Sequence, residues 1–383
     1  MKIILVGTTY PFRGGLAAYN ERLAREYMAQ GHQVEIFTFS LQYPSFLFPG
    51  KTQLSSEKAP NDLKIHRTIN SVNPFSWIKT GRVIKRKNPD KIVFCYWMAF
   101  MAPCFGTIAR FAHNSKTTCI GLIHNMIPHE PSILDKLFPQ YFVNSMDGFV
   151  AMADSVKQDI KHFDKNNKPI AVSPHPIYDH FGDIVDKKTA IQSLKLSEKF
   201  SYILFFGFIR HYKGLDLLLE AFADERLRKF PIKLIIAGEF YEDSAAYYQL
   251  IAKLKLEDFV ELRTEFISDN EVRNYFCASD IIAQPYRSAT QSGVSQIAYH
   301  FETPMLVTNV GGLAEIIPNG KVGYVVDVDP TKIADALVDF YSNDKSTFFI
   351  ENIKIEKQKY AWSKMTDAIS SLNTKDKRQK IKD

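Results

Sequence analysis

The residues best suited to chemistry sit in three glycine-bearing segments. In "LFFGFIRHYKGLDLLLEAF", Gly207, Arg210, Lys213 and Gly214 directly follow an apolar run that reads as a buried strand. An arginine forks to two phosphate oxygens and a lysine adds a point charge, so the pair suits a negatively charged leaving group. A solvated basic turn ahead of a helix is the plain alternative. In "YPFRGGLAAY", Gly14 and Gly15 open a helix, where backbone amides can meet a phosphate or a sugar hydroxyl. The G-x-G-x-x-G spacing is missing, so a tight strand-to-helix turn reads equally well. The third segment, "PYRSATQSGVSQIAYHFETPMLVTNVGGLAEI", leads Ser288, Thr290, Ser292 and Gly293 into one helix, then Gly311 and Gly312 into another with Glu315 predicted in its first turn. Helix starts favour anionic groups, whereas an acid such as Glu315 there also simply complements the dipole.

Such loops need a scaffold, and the apolar pattern supplies one. "KIILVG", "HQVEIFTF", "KIVFCY", "CIGLIH" and "GFVAMA" read as buried strands, most of them followed by helix-like segments. Between Ser173 and about Asp186 the pattern loosens around two prolines that flank His175, which suits a connector. Strands then resume with "YILFFG", "IKLIIAG", "FVELRTEF", "DIIAQPY", "PMLVTNVGG" and "GYVVDV". This alternation predicts two parallel-sheet α/β domains, with ligands at the loop-bearing strand ends. The uncharged stretch from Ile92 to Ala109 reaches the length of a membrane helix, but Pro103 and Gly106 favour a strand, a turn and a helix starting near Pro103.

At 383 residues the chain suits two domains, and 45% hydrophobic against 23% charged residues excludes a disordered chain. The net charge of +6 is too mild for a dedicated nucleic-acid binder, and no such motif is present. Cys95, Cys104, Cys119 and Cys277 lack zinc or C-x-x-C spacing and read as reduced thiols, and "MKIILVG" is shorter than a signal-peptide core. A cytoplasmic location is expected. "DVD" at Asp327–Asp329 precedes Pro330 and reads as a turn in preference to a metal site.

Together, "GG" before the first helix, "FFGFIRHYKG", "PYRSATQSGV" and "TPMLVTNVGGLAE" resemble the family 4 retaining glycosyltransferases, over roughly Met1 to Leu372. The resemblance implies an α/β GT-B fold, two Rossmann-like doubly wound parallel-sheet domains facing a cleft. Residues 1–178 would form the acceptor side and residues 187–360 the nucleotide-sugar domain. "YAWSKMTDAISSL" is similar to the family's C-terminal helix, so a helix at about 361–373 would return to the first domain ahead of a charged tail, 374–383. The implied reaction moves a hexose from a UDP- or GDP-sugar to a glycan or lipid-linked acceptor in cell-surface polysaccharide synthesis. It retains anomeric configuration and uses neither metal nor cofactor. Arg210 and Lys213 fall on the family's diphosphate-binding pair, and His124 in "GLIHNMIPHE" on its histidine near the donor sugar. The Gly-Gly loop matches Gly14-Gly15 and the later glycines match Gly311-Gly312; Gly207, Ser292, Gly293 and Glu315 complete the expected donor site.

One departure stands out. The family's two glutamates, seven residues apart, are replaced here by Ala289 and Ile297. Both have binding roles, so their loss is expected to alter donor choice before it removes turnover, with "SATQSG" supplying hydroxyls and amides instead. A non-catalytic binding homologue and a nucleotide-sugar epimerase are the alternatives; epimerases of this fold rely on carboxylates, which argues against the second. On the acceptor side, "WIKTGRVIKRKNPDK" holds six basic residues and one acid, with Trp77 beside a basic helix. A peripheral contact with an anionic inner leaflet and an ordinary solvated helix face are both open. Tyr43, Phe46 and Phe48 are candidates for meeting a lipid carrier or a sugar, and His129 and Glu130 for binding acceptor.

Overall fold

The computed structural model describes residues 1–44, 53–55, 58–126, 134–289 and 292–372, with backbone only at 134–137. The chain divides into two compact units, one made of Met1–Pro176 and Tyr360–Asp383, the other of Ile177–Lys359. Phe46, Phe48, His129, Glu130, Thr290 and the tail lie outside the described residues.

The first unit alternates strands and helices: β1 (Lys2–Val6), α1 (Gly15–Ala29), β2 (Gln33–Leu41), β3 (Ile65–Asn70), α2 (Pro74–Arg86), β4 (Lys91–Tyr96) and α3 (Ala102–Ala112). It continues with β5 (Thr118–Ile123), α4 (Leu134–Val143), β6 (Gly148–Ala151), α5 (Asp154–Phe163) and β7 (Ile170–Val172). The strands form a seven-stranded sheet in the order β3-β2-β1-β4-β5-β6-β7. All pairings are parallel, as in Ile4 against Glu35 on one side of β1 and Ile92 on the other. β1, β4 and β5 run through the centre with helices on both faces, which is why their sequences are unbroken apolar runs.

The second unit contains α6 (Lys187–Ser193), β8 (Ser201–Phe206), α7 (Leu215–Phe222), β9 (Ile232–Ala237), α8 (Ala245–Lys253), β10 (Val260–Arg263) and α9 (Asp269–Ala278). β11 (Ile281–Gln284), α10 (Gly293–His300), β12 (Met305–Thr308), α11 (Gly311–Glu315), β13 (Gly323–Val326), α12 (Pro330–Ser342) and α13 (Ser346–Glu356) follow. Its six strands are parallel in the order β10-β9-β8-β11-β12-β13, so the order reverses beside β8, the first strand of the unit. α14 (Trp362–Ser371) belongs to the first unit, where Gln30 Nε2 donates to Thr366 Oγ1 at 2.7 Å.

The apolar stretch from Ile92 resolves into β4, a short 3-10 turn at Ala99–Met101 and α3, with Pro103 in the first turn of that helix. Among the described residues no helix is long and apolar enough to cross a membrane. The basic segment differs from expectation. Trp77 lies within α2, its Nε1 donating to the Asn70 carbonyl at 2.7 Å, and the helix ends at Arg86. Lys91 instead opens β4 and is buried, its Nζ donating to the carbonyls of Ile369 and Ser370 at 3.0 Å. Asp329 accepts from Thr331 N as the cap of α12, which explains the "DVD" turn.

Candidate functional site

In the second unit, chemistry gathers where the chain leaves β8. Gly207 turns the backbone with φ +95°, a conformation that L side chains rarely adopt. A Cβ there would lie 3.0 Å from Lys213 Nζ, so the bare glycine makes room for the ammonium. Gly214, at φ +68°, packs too tightly against the Pro285 carbonyl to carry a side chain, since a Cβ would fall 2.0 Å from its oxygen. These contacts press the 3-10 turn His211–Lys213 onto the loop that follows β11.

Lys213 is only 8% exposed, with its ammonium 5.6 Å from the centre of the Tyr286 ring. No carboxylate pairs with it among the described residues. Burial, reinforced by the Arg210 charge, lowers its pKa to about 8. Arg210 is exposed, its guanidinium 4.7 Å over the Tyr241 ring. A shielded lysine and an adjacent arginine, both without counter-ions among the described residues, leave an uncompensated positive charge, the electrostatic requirement for holding an anion.

Partners distant in sequence hold this arrangement. Arg287 makes two hydrogen bonds to Asp216, at 2.8 and 2.7 Å, and its Nη1 also donates to the His211 carbonyl. Burial pushes the Asp216 carboxyl up, but the Arg287 hydrogen bonds and charge outweigh it and leave the group below its ordinary value. Ser292 Oγ donates to Gln284 Oε1 at 2.7 Å, and Gln284 Nε2 donates to Ser295 Oγ at 2.9 Å. This buried network fixes the start of α10. Gly293 opens that helix against Tyr178, whose ring a Cβ would meet at 2.8 Å. Ile297 is a buried apolar residue on the same helix.

Glu315 is not in the first turn of a full helix: α11 has five residues, and Glu315 is its exposed last one. Gly311 and Gly312 start it, but so short a helix carries little macrodipole. Asp216, Gln284, Tyr241, Tyr286 and Arg287 were not singled out from sequence. Tyr286 and Arg287 stand inside the "PYRSATQSG" motif, but a pairing such as Arg287 with Asp216 spans 71 residues and leaves no trace in spacing.

In the first unit, Gly14 caps α1 at φ +106° with open space where a side chain would be, and Gly15 begins the helix. His124 directly follows β5, its backbone amide donating to the Tyr96 carbonyl at 2.9 Å. Its ring lies 4.8 Å from Tyr19, which is itself 4.9 Å from His175 and from Trp362. The Nε2 atom of His124 is buried with no hydrogen-bond partner among the described residues. Burial, aided by His175, lowers the His124 pKa to about 3, so the imidazole is neutral. The backbone therefore satisfies only its own amide, and the ring keeps one unmet polar atom. Tyr43 is half-buried, accepting from Trp97 Nε1 at 2.8 Å. Cys95, Cys104 and Cys119 are buried free thiols and Cys277 is partly so. No group of three or more potential metal ligands occurs among the described residues.

Residues 13–180 match the description "Glycosyltransferase Family 4", and residues 201–343 match "Glycosyl transferases group 1". D-inositol 3-phosphate glycosyltransferase of Corynebacterium urealyticum is 25% identical over 248 residues, 62% of this chain and 58% of that protein. N-acetyl-alpha-D-glucosaminyl L-malate synthase of Bacillus anthracis is 22% identical over 361 residues, 90% and 89% of the two chains. The chain thus spans little more than half of the first relative and most of the second. Among solved structures, the Anabaena protein HepE in complex with UDP and glucose superposes with a TM-score of 0.69 at 14% identity, over 96% of this chain and 98% of that one.

Proposed function

Because the chain belongs to glycosyltransferase family 4 and has the GT-B fold, we propose that it is a retaining, metal-independent enzyme that moves a hexose from a UDP- or GDP-sugar to a glycan or lipid-linked acceptor in cell-surface polysaccharide synthesis. Glycosyl transfer itself follows from the family; the donor, the acceptor, the stereochemistry and a working place at the inner face of the cell membrane are the proposal. The observation that carries it is Lys213, a lysine 8% exposed, without a carboxylate partner among the described residues, and next to Arg210.

In this reading the two cations hold the diphosphate of the donor. As the bond from the anomeric carbon to the phosphate oxygen breaks, the acceptor hydroxyl forms the new bond on the same face. Its proton passes to the departing phosphate oxygen, and Lys213 and Arg210 neutralise the charge that develops there. The neutral ring of His124, with Nε2 unsatisfied, suits a hydrogen bond to a sugar hydroxyl. The hydroxyls and amides of "SATQSG" flank Ala289, where the family places a carboxylate, and Ser292 of that segment is held by Gln284 in a buried network. The complex of HepE with UDP and glucose supports a uridine donor first. The names of the two curated relatives favour a second acceptor class, small anionic molecules such as inositol phosphate or malate.

The test is release of free nucleotide from a panel of UDP- and GDP-hexoses, with glycan, lipid-linked, inositol phosphate and malate acceptors, in the presence of a chelator. One donor should turn over, and Arg210→Ala should slow it roughly 100-fold or more. Parental turnover in that variant would mean that the phosphate site is elsewhere. Tight donor binding without turnover on any acceptor would point to the non-catalytic alternative.

A further inference from the structure

The basic segment of the first unit separates into two sets of cations once its contacts are known. Lys91 is buried against the carbonyls of Ile369 and Ser370, and Lys87 reaches Glu35 at 2.8 Å, so both are occupied within the fold. Lys79, Arg82, Lys85 and Arg86 are exposed and make no ion pair among the described residues. Lys79, Arg82 and Arg86 follow Phe75 at intervals of four, seven and eleven residues, the spacing of a single helical stripe. Phe75 itself is 82% exposed, and α2 carries no acid at all.

The stripe is broadened by its neighbour. Phe111 of α3 is exposed and lies under the Arg82 guanidinium at 5.7 Å, and Val72 is exposed just before α2. Gly81 lets the two helices meet closely, since a Cβ there would fall 2.7 Å from Phe111 Cβ and 2.8 Å from the Ile108 carbonyl oxygen. Arg110, at the end of α3, adds a further cation over the Tyr141 ring at 3.7 Å. Apolar rings at the level of a row of unpaired cations, on two helices locked together, match an interface that is apolar beneath and anionic at its surface.

We propose that the α2–α3 face is a docking surface for an anionic phospholipid bilayer, with Phe75 entering the headgroup region and Lys79, Arg82 and Arg86 resting on lipid phosphates. The inference gives the membrane-face reading of the proposed function a specific surface. It does not need turnover to be tested, so failure of one can be told from failure of the other.

The experiment is flotation of the full chain with vesicles of phosphatidylcholine containing phosphatidylglycerol, against vesicles of phosphatidylcholine alone. Binding should require phosphatidylglycerol and weaken as salt is raised. The triple variant Lys79→Glu, Arg82→Glu, Arg86→Glu should lose roughly 100-fold or more in partitioning, since each cation near such a surface is worth about a fivefold factor. Phe75→Ser should lose a smaller factor and keep the salt dependence. All four positions are exposed, and an unchanged melting temperature would show that the variants are folded. Equal binding to both vesicle types, or parental binding by the folded triple variant, overturns the proposal.

Discussion

Lys213 and His124 are two buried nitrogen bases, one in each unit, and burial treats them differently. Both pKa values fall, but from such different starting points that the lysine reaches about 8 and the histidine about 3. Near neutral pH, among the described residues, the first is a cation without a counter-ion and the second is uncharged with an unmet polar atom. The second unit therefore holds a buried charge, and the first holds a neutral imidazole with one unmet polar atom among the described residues. A desolvated cation costs stability when empty and repays it when an anion arrives, whereas a neutral ring discriminates among hydroxyls with little dependence on charge.

The largest effect should come from removing the cation. Lys213→Met is expected to lower turnover roughly 100-fold or more while raising the melting temperature of the unliganded protein. A folded-state pKa near 8 against an ordinary 10.5 corresponds to a destabilisation of up to about 3 kcal/mol below pH 8. The unfolded chain binds more protons between pH 8 and 10.5, so parental stability should rise with pH across that window and the variant should lack the rise. Calorimetry of both proteins across the window, beside a turnover assay, checks this. A variant that loses activity and stability together would mean that the lysine is a structural prop and not a group kept charged for an anion.

On the other side of the comparison the pH dependence lies in the acid range. A histidine with a folded pKa near 3 and an unfolded value near 6.5 gives stability that is full above 6.5 and is lost as pH falls toward 3. His175, lowered to about 4 by burial, acts in the same direction. Each contributes a slope of up to about 1.4 kcal/mol per pH unit where only the unfolded state is protonated. His124→Asn should remove its share, seen in urea unfolding between pH 6.5 and 4.5. An unaltered slope would show that His124 is protonated in the folded protein, and the contrast with Lys213 would vanish.

How much of this was legible in the sequence depends on where each residue sits in the sheets. Central strands, covered on both faces, announce themselves as apolar runs such as "KIVFCY" and "YILFF". The two strands of the first unit that the pattern did not reveal, β3 and β7, are its edges, and their half-exposed sequences "IHRTIN" and "IAV" show no such run. Arg210 and Lys213 were readable because their partners in charge are three residues apart. The Asp216–Arg287 clamp, the Gln284 network and the Tyr19–His124–His175–Trp362 cluster were not, because tertiary packing alone brings their members together. Glu315 was misplaced for a local reason: the chain leaves α11 after five residues, and an acidic residue near a glycine pair does not show where the helix will stop.

The smallest expected effect tests two glycines that the sequence treats alike. Gly14 sits at φ +106° and ψ 175°, whereas Gly15 is the first residue of α1. Gly14→Ala should cost on the order of 1 kcal/mol through backbone strain alone, since a Cβ there meets nothing within 4 Å. Gly15→Ala should leave stability unchanged or slightly raised, because alanine is the better helix former. Gly207, at the corresponding strand end of the second unit, should behave unlike either: its Cβ would meet the Lys213 ammonium at 3.0 Å, so Gly207→Ala should displace the cation and depress turnover. Thermal melts of the three variants with a donor assay separate strain from site geometry. If Gly14→Ala depressed turnover as deeply as Gly207→Ala, strain alone would not account for the loss and the backbone beside Gly14 would have a part in turnover.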